Sequence, residues 1–451
     1  MVALHPVTRV PVDGLPDTAL TPSVQPVLVP AVRYTSEAFA RREEEQVWPR
    51  VWQVACTADH VPEPGDFYEY RCGPLAVLIV RGADGQLRAF QNTCRHRGNT
   101  ICQGAGGGLT ELRCGFHRWV YDLDGHLREV PSRRGFGPGF RNEDFGLFPV
   151  QIDSWGPLVF VNLDVAAPPL ADYLEGVPGD SAWAALEEFQ CQYALTMPVE
   201  SNWKVVAEGF SETYHVQGIH PEMVASIDDL HAPQKLWGNC GVSYQAYGVP
   251  NPRLGRDVAD AVVWESMVLT QGGRFGVDVE PAGPDGGGPV VPPLPRVPEG
   301  GTVREVIADR IRALQAARGV ELSRYSTDQL LTLSQYNLFP NVTVLVWGDM
   351  LNVLVARPGA TADSALFVAW TFHRLAPGAR RTRIEDIALP PGADMGTVLS
   401  EDLALLRTAQ RGLHQPGLVH IALSNEECRV INLHRNLERY LGIEPSEMLP
   451  I

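Results

Sequence analysis

Lysine is almost missing from this chain: of 37 basic residues only Lys204 and Lys235 are lysines. Acidic residues number 53 and the net charge is −16, which excludes the basic footprint of a nucleic-acid partner and suits small, soluble ones. Cysteine is scarce as well. Eight in 451 residues are too few for a disulfide scaffold, so a reducing, cytoplasmic compartment is expected. Six of them (Cys56, Cys72, Cys102, Cys191, Cys240 and Cys428) are scattered and are expected to be buried or neutral thiols. No apolar run is long enough to span a bilayer, so no membrane is expected. Met1 to Pro30 lacks a charged segment ahead of an apolar one, which argues against a secretory signal. Neither a flavin motif nor a dinucleotide motif occurs. What is present, 45% hydrophobic and 20% charged residues, describes a globular protein whose length predicts two domains.

The texture changes along the chain. Residues 1–44 read as a proline-rich extended arm followed by a helix over Thr35 to Val51, with Ser36 as N-cap. Phe67 to Arg71, Leu75 to Arg81, Leu87 to Asn92 and Leu158 to Asn162 are β-type runs separated by turn signals such as Gly82-Ala83-Asp84-Gly85. Residues 45–165 are therefore expected to form one small antiparallel β domain. From 166 to 451 helices mix with long strands. Thr302 to Arg318 and Thr397 to Leu413 are amphipathic helices, and Asn341 to Ala356 pairs with Ser364 to His373 as strands. Gln271 to Gly301, rich in Gly and Pro, is read as a loop, either a lid or a surface insertion.

The strongest local signal is Cys94-Arg95-His96-Arg97-Gly98, with Cys114-Gly115-Phe116-His117 following His96 after seventeen residues (97–113). Each loop offers one thiolate and one imidazole. In a Rieske [2Fe–2S] centre two cysteines hold one iron and two histidines hold the other. Glycines at 98 and 115 let the backbone turn tightly around such a cluster. Zinc is the competing reading, but zinc sites usually space paired ligands by two to four residues, whereas one residue separates Cys94 from His96.

The run CGFHRWVYDLDGHLREVP from Cys114 to Pro131 resembles the second ligand loop of the Rieske domain of ring-hydroxylating oxygenases. The departure is Arg118, where that family usually has glycine before the tryptophan, here Trp119. The resemblance implies an α+β protein: an N-terminal antiparallel Rieske domain followed by a C-terminal helix-grip catalytic domain in which a curved antiparallel sheet wraps a long helix.

A second constellation spans Asn202-Trp203-Lys204 to Pro221. If a helix runs from about Val205, then Glu212, His215 and residue 219 share one face, and His220 follows at the helix end. Two histidines and one carboxylate would form the facial triad of O₂-activating Fe(II) enzymes; taken alone, two histidines five apart fit ordinary core or surface positions better, and it is the Cys/His motif upstream that reverses the balance. The segment resembles the iron helix of the same oxygenase family. That resemblance implies His215 and His220 as ligands of a mononuclear Fe(II). It puts the third, Asp402, eight residues before Gln410-Arg411-Gly412-Leu413, with Glu401 as the adjacent competitor. The bland alternative for Asp402 is a solvated acid at a helix start. Glu212 is implied as the carboxylate linking His215 to a cluster histidine of a neighbouring subunit. Glu208 is open between a further orienting acid and a surface acid.

The implied activity is an oxygenase α subunit. Electrons from NAD(P)H would reach it through a separate reductase or ferredoxin, and one or two oxygen atoms of O₂ would enter a small hydrophobic, aromatic or polycyclic substrate, as in aromatic hydrocarbon catabolism. The implied assembly is a homotrimer, with or without small β subunits. Two alternatives stand beside it: an N- or O-demethylating or quaternary-amine monooxygenase of the same family, a reading that Glu212 suggests, and a Rieske electron carrier without catalysis.

Overall fold

The computed structural model describes residue 22 and residues 24–279 and 289–449. The expected arm is described only from its end, where Val27–Pro30 forms a strand between His420–Leu423 and Glu447–Met448. Ser36 caps the helix Glu37–Gln46 by accepting the Phe39 N–H at 3.3 Å. The single helix expected over Thr35 to Val51 is instead three pieces. Ser36 is extended (φ −93°, ψ 121°), which separates a turn at Val32–Thr35 from Glu37–Gln46. Pro49 then forces a 3₁₀ turn at Trp48–Arg50, because its ring removes a donor and constrains its neighbour.

Alternating buried positions next organise a seven-stranded antiparallel sheet. Its order is Gln53–Thr57, Leu158–Asn162, Pro149–Trp155, Leu87–Gln91, Leu75–Arg81, Phe67–Cys72 and Ala105–Gly106. A second sheet of three short strands, Leu112–Arg113, Val120–Tyr121 and Leu127–Glu129, stands beside it. Between the two lies a separate apolar core that includes Leu78, Phe90, Leu112, Trp119, Tyr121 and Leu147 together with Cys94 and Cys114.

The rest of the chain is built on a nine-stranded sheet, antiparallel except at one edge. Ile227–Asp228, Cys240–Tyr247, Thr332–Leu338, Val342–Val346, Met350–Pro358, Ala365–Arg374 and Phe189–Val199 follow in order; Asp386–Ala388 then adds in parallel, and Gln234–Leu236 pairs beside Cys240–Tyr247 as the ninth strand. Asn341 to Ala356, expected as one strand, is a hairpin: Trp347 to Asp349 turns the chain between two antiparallel partners. Trp203–Gly209 is held between this sheet and the helix Thr397–Leu413. Val303–Ala317 is closed by a Thr302–Glu305 capping box. The fold class is the expected α+β one, an antiparallel β domain joined to a sheet-and-helix domain.

Polar side chains tie the halves together. Asp59 accepts from the Cys191 N–H (2.8 Å) and from Arg381 (2.8 Å), while Tyr68 donates to Asp386 at 2.6 Å. Of the Gly/Pro-rich stretch 271–301, residues 280–288 lie outside the described ones. Contrary to its reading as pure loop, Gly272–Phe275 makes one 3₁₀ turn, because Arg274 is anchored on Asp349. Farther on, the Pro292 carbonyl accepts from Trp264 at 2.8 Å. Among the described residues no helix is long and apolar enough to cross a membrane.

Candidate metal centres

The two Cys/His loops fold alike. In the first, the Gly98 N–H returns to the Cys94 carbonyl (2.9 Å); in the second, the Arg118 N–H returns to the Cys114 carbonyl (3.1 Å). Both closing residues are left-handed, Gly98 at φ 72° and Arg118 at φ 61°. Arg118 thus adopts the conformation for which glycine is the ordinary residue, and the loop shape survives at a steric cost.

The loops bring Cys94, His96, Cys114 and His117 together. Both sulfurs are buried, and the His96 and His117 rings meet edge-on with centroids 4.5 Å apart. Trp119 stacks on His96 at 5.0 Å. The Tyr121 hydroxyl lies 3.4 Å from the Cys94 sulfur and accepts the Arg95 N–H at 3.1 Å, which leaves its own proton for the sulfur. Burial raises the Cys94 thiol, although Tyr121 counters it. Burial and the neighbouring His117 hold His96 below its usual value, in the neutral form that ligates metal.

One observation tests whether an iron–sulfur cluster fits. Nδ1 of His96 is buried and has no hydrogen-bond partner, a costly state unless something is bound there. Moreover, no three of the four residues bring donor atoms within one ion's reach, although other triads among the described residues do. Donors spread beyond one ion suit a two-iron cluster better than a single zinc. The remaining six cysteines are free thiols, five buried and Cys102 partly so. Burial pushes Cys72 up to about 12, and Cys102 and Cys428 up to about 11, so they are unreactive.

The second centre departs from the single helix expected there. Trp203–Gly209 is helical, residues 210–215 are not, and Val216–Ile219 is one further turn. The break has a physical cause. The Phe210 carbonyl, which would continue the helix, instead accepts Gln335 Nε2 (2.6 Å), Asn337 Nδ2 (3.1 Å) and Thr343 Oγ1 (3.1 Å). Glu212 then starts the next turn by accepting the His215 N–H at 3.1 Å.

Despite the break, the ligand atoms of His215, His220 and Asp402 lie within 4.8 Å of one another. Asp402, in the Thr397–Leu413 helix, is buried rather than a solvated acid at a helix start. Its Oδ1 is 3.0 Å from Nε2 of His220 and 3.8 Å from Nε2 of His215. The opposite nitrogens are held by other acids: Nδ1 of His215 contacts Glu212, and Nδ1 of His220 is 2.9 Å from Glu401. Glu222 lies 3.7 Å from that same Nδ1.

Four carboxylates thus surround two imidazoles. Burial alone would lower both histidines, but Glu212 outweighs it at His215 and Asp402 outweighs it at His220, so both stand above the usual value. Such an excess of negative charge is what a divalent cation would neutralise, and the imidazole and carboxylate donor set suits Fe(II). Glu208 is not a surface acid. It accepts from the Tyr34 hydroxyl at 3.0 Å and sits 3.0 Å from Nε2 of His434.

The centre opens on a cavity. Phe210, Met223, Ile227, Leu333, Leu345 and Leu354 form much of its wall. Two buried glutamines, Gln245 and Gln335, also line it and were not singled out from sequence. Their signal was a polar residue at an inward position of an otherwise buried strand. No described residue of 271–301 is in that wall.

Residues 186–443 match the family model of the ring hydroxylating alpha subunit (catalytic domain), and residues 51–145 match the Rieske [2Fe-2S] domain. The chain belongs to the ring-hydroxylating α-subunit family and carries a Rieske domain. Similar proteins include the glycine betaine monooxygenase oxygenase subunit of Pseudomonas aeruginosa, 30% identical over 46% of this chain and 48% of the relative. The biphenyl 2,3-dioxygenase subunit alpha of Rhodococcus jostii is 33% identical over 48% of this chain and 51% of the relative. The chain spans about half the length of these relatives. A solved quaternary ammonium Rieske monooxygenase covers 92% of this chain and 95% of its own, with TM-score 0.64 and 18% identity.

Proposed function

We propose that this chain is the oxygenase component of a Rieske non-haem iron system acting on a small, uncharged, hydrophobic molecule of aromatic or polycyclic type. In this reading Cys94, His96, Cys114 and His117 hold the [2Fe–2S] cluster, and His215, His220 and Asp402 hold Fe(II). The cluster supplies electrons one at a time, and the mononuclear iron supplies reductive activation of O₂. The observation that carries the reading is the His215–His220–Asp402 triad at the base of a cavity whose wall is mainly apolar.

The protein's own side chains do the rest. Glu212 and Glu401 fix the two imidazoles through Nδ1, so that both Nε2 atoms face Asp402. The aliphatic wall excludes bulk water and offers apolar contact to substrate. An electron carrier would need neither feature. The electrons come from a reductase or ferredoxin. The chain works as a trimer in which Glu212 links His215 to a cluster histidine of the next subunit; the study of the similar quaternary ammonium monooxygenase describes inter-subunit electron transfer in that protein.

A second reading, oxidation of a quaternary amine, draws on the glycine betaine relative and on the aromatic faces of Phe210 and Tyr247 in the wall. Among the described residues no lysine or arginine lines the cavity to receive a substrate carboxylate. The deciding experiment supplies reduced holoprotein with ¹⁸O₂ and offers naphthalene, biphenyl, choline and glycine betaine in parallel. Label is expected in a hydroxylated hydrocarbon. Turnover of the amines alone would overturn the proposal.

A further inference from the structure

We infer that Gln245 is the specificity-determining residue of this cavity, and that its substrate carries a hydrogen-bond donor, a hydroxyl or an N–H, on an otherwise apolar body. The inference rests on the hydrophobic-substrate reading above and narrows it.

The orientation of the Gln245 amide follows from the hydrogen bonds around it. The Phe210 carbonyl can only accept, so the Gln335 nitrogen must be the group 2.6 Å from it. That leaves the Gln335 oxygen facing Gln245, and an oxygen there can only be met by the Gln245 nitrogen, 2.5 Å away. The second hydrogen of that nitrogen is directed to the Ser243 hydroxyl at 3.3 Å. The Gln245 oxygen is then left over. It accepts no hydrogen bond from any described residue, and although the residue as a whole is 98% buried, this oxygen is not sealed but open to the cavity that Gln245 lines.

Sheet register explains why the two amides meet. Ser243 is directly opposite Gln335 and Gln245 is opposite Leu333, so Gln245 and Gln335 are diagonal neighbours on one face. Tyr247, two residues on and therefore on that face too, also lines the cavity. An amide oxygen open to the cavity is hydrated while the cavity is empty, and displacing that water without replacing its hydrogen bond is costly. A ligand that donates to it removes the cost, while one of the same shape without a donor leaves the oxygen unpaired. The same amide chain ends on the carbonyl that breaks the helix ahead of Glu212 and His215, so a substrate held by Gln245 is registered against the metal-site segment.

The test is a binding measurement on the holoprotein, by calorimetry in the absence of reductant. The probes are 2-naphthol and 2-fluoronaphthalene, alike in shape and different in donor. Wild type should bind 2-naphthol about tenfold more tightly. Gln245→Leu, and Gln245→Met as a second variant should leucine not fold, should bring the ratio close to one with the cluster absorption and iron content unchanged. Equal binding of both probes to wild type, or an unchanged ratio in a folded variant, overturns the role of Gln245 while leaving the hydrophobic reading standing. Failure of wild type to bind either probe overturns both.

Discussion

Asp402 and Glu401 are adjacent in sequence, yet their geometry assigns them different tasks, and replacing each in turn separates them. Asp402 presents one oxygen to both Nε2 atoms, at 3.0 and 3.8 Å, and is nearly sealed from solvent. Of the two imidazoles Glu401 touches only that of His220, at Nδ1, the nitrogen that faces away from Asp402, and its side chain is 39% exposed. Glu401→Gln keeps an oxygen in reach and removes a charge, so it should cost the tenfold to hundredfold loss of metal affinity usual for a partner behind a ligand, about 1.4–2.7 kcal/mol. Asp402→Ala removes a donor atom itself, and its loss should exceed that range. The assay is anaerobic Fe(II) titration against a chelator, with the cluster signal as the folding control. If Glu401→Gln strips the iron and Asp402→Ala retains it, the third ligand is Glu401 and the present assignment is wrong.

Three further outcomes follow from other parts of the molecule. Arg118→Gly relieves a left-handed arginine while adding unfolded-state freedom, so calorimetry should show the melting temperature rising by about 1–2 °C with no change in cluster colour; a fall would mean that the Arg118 side chain contributes contacts of its own. Burial alone would raise Asp386, but its bonds to His60 and Tyr68 outweigh that and lower it. The stability from this depression is therefore present above the ordinary carboxylate value and lost as pH falls through the folded one. Asp386→Asn should consequently cost about 1–2 kcal/mol at neutral pH, and the difference from wild type in thermal unfolding should vanish on acidification. Finally, chains with Cys94→Ala and with His215→Ala should each be inactive, recover part of the turnover when co-expressed in mixed trimers, and lose it again with Glu212→Gln throughout; mixed trimers without recovery would place electron transfer within one chain.

The sequence made legible whatever depends on neighbours in the chain. The Cys-x-His loop, the Ser36 cap and the strand Leu75–Arg81 all follow from local chemistry and spacing. The helix expected through His215 did not form because Gln335, Asn337 and Thr343, more than a hundred residues away, compete for the Phe210 carbonyl. Asp402 was reached only through its spacing from Gln410, and the structure gives that spacing a physical basis. Gln410 accepts the Asn202 N–H at 3.1 Å, and Asn202 caps the helix leading toward His215, so Gln410 sets the register between the segments that carry His215 and Asp402. Gln245 and Gln335 were out of reach because only the sheet register makes them neighbours.

The central claim is that two distinct iron centres occupy the two clusters of residues, and metal analysis of the purified chain with EPR before and after dithionite tests it most directly. The account predicts a red-brown protein with about three irons and about two acid-labile sulfides per chain. Reduction should bring up a Rieske signal that His220→Ala leaves intact while one iron is lost. A colourless protein holding stoichiometric zinc, or a cluster signal that disappears with His220→Ala, would contradict it.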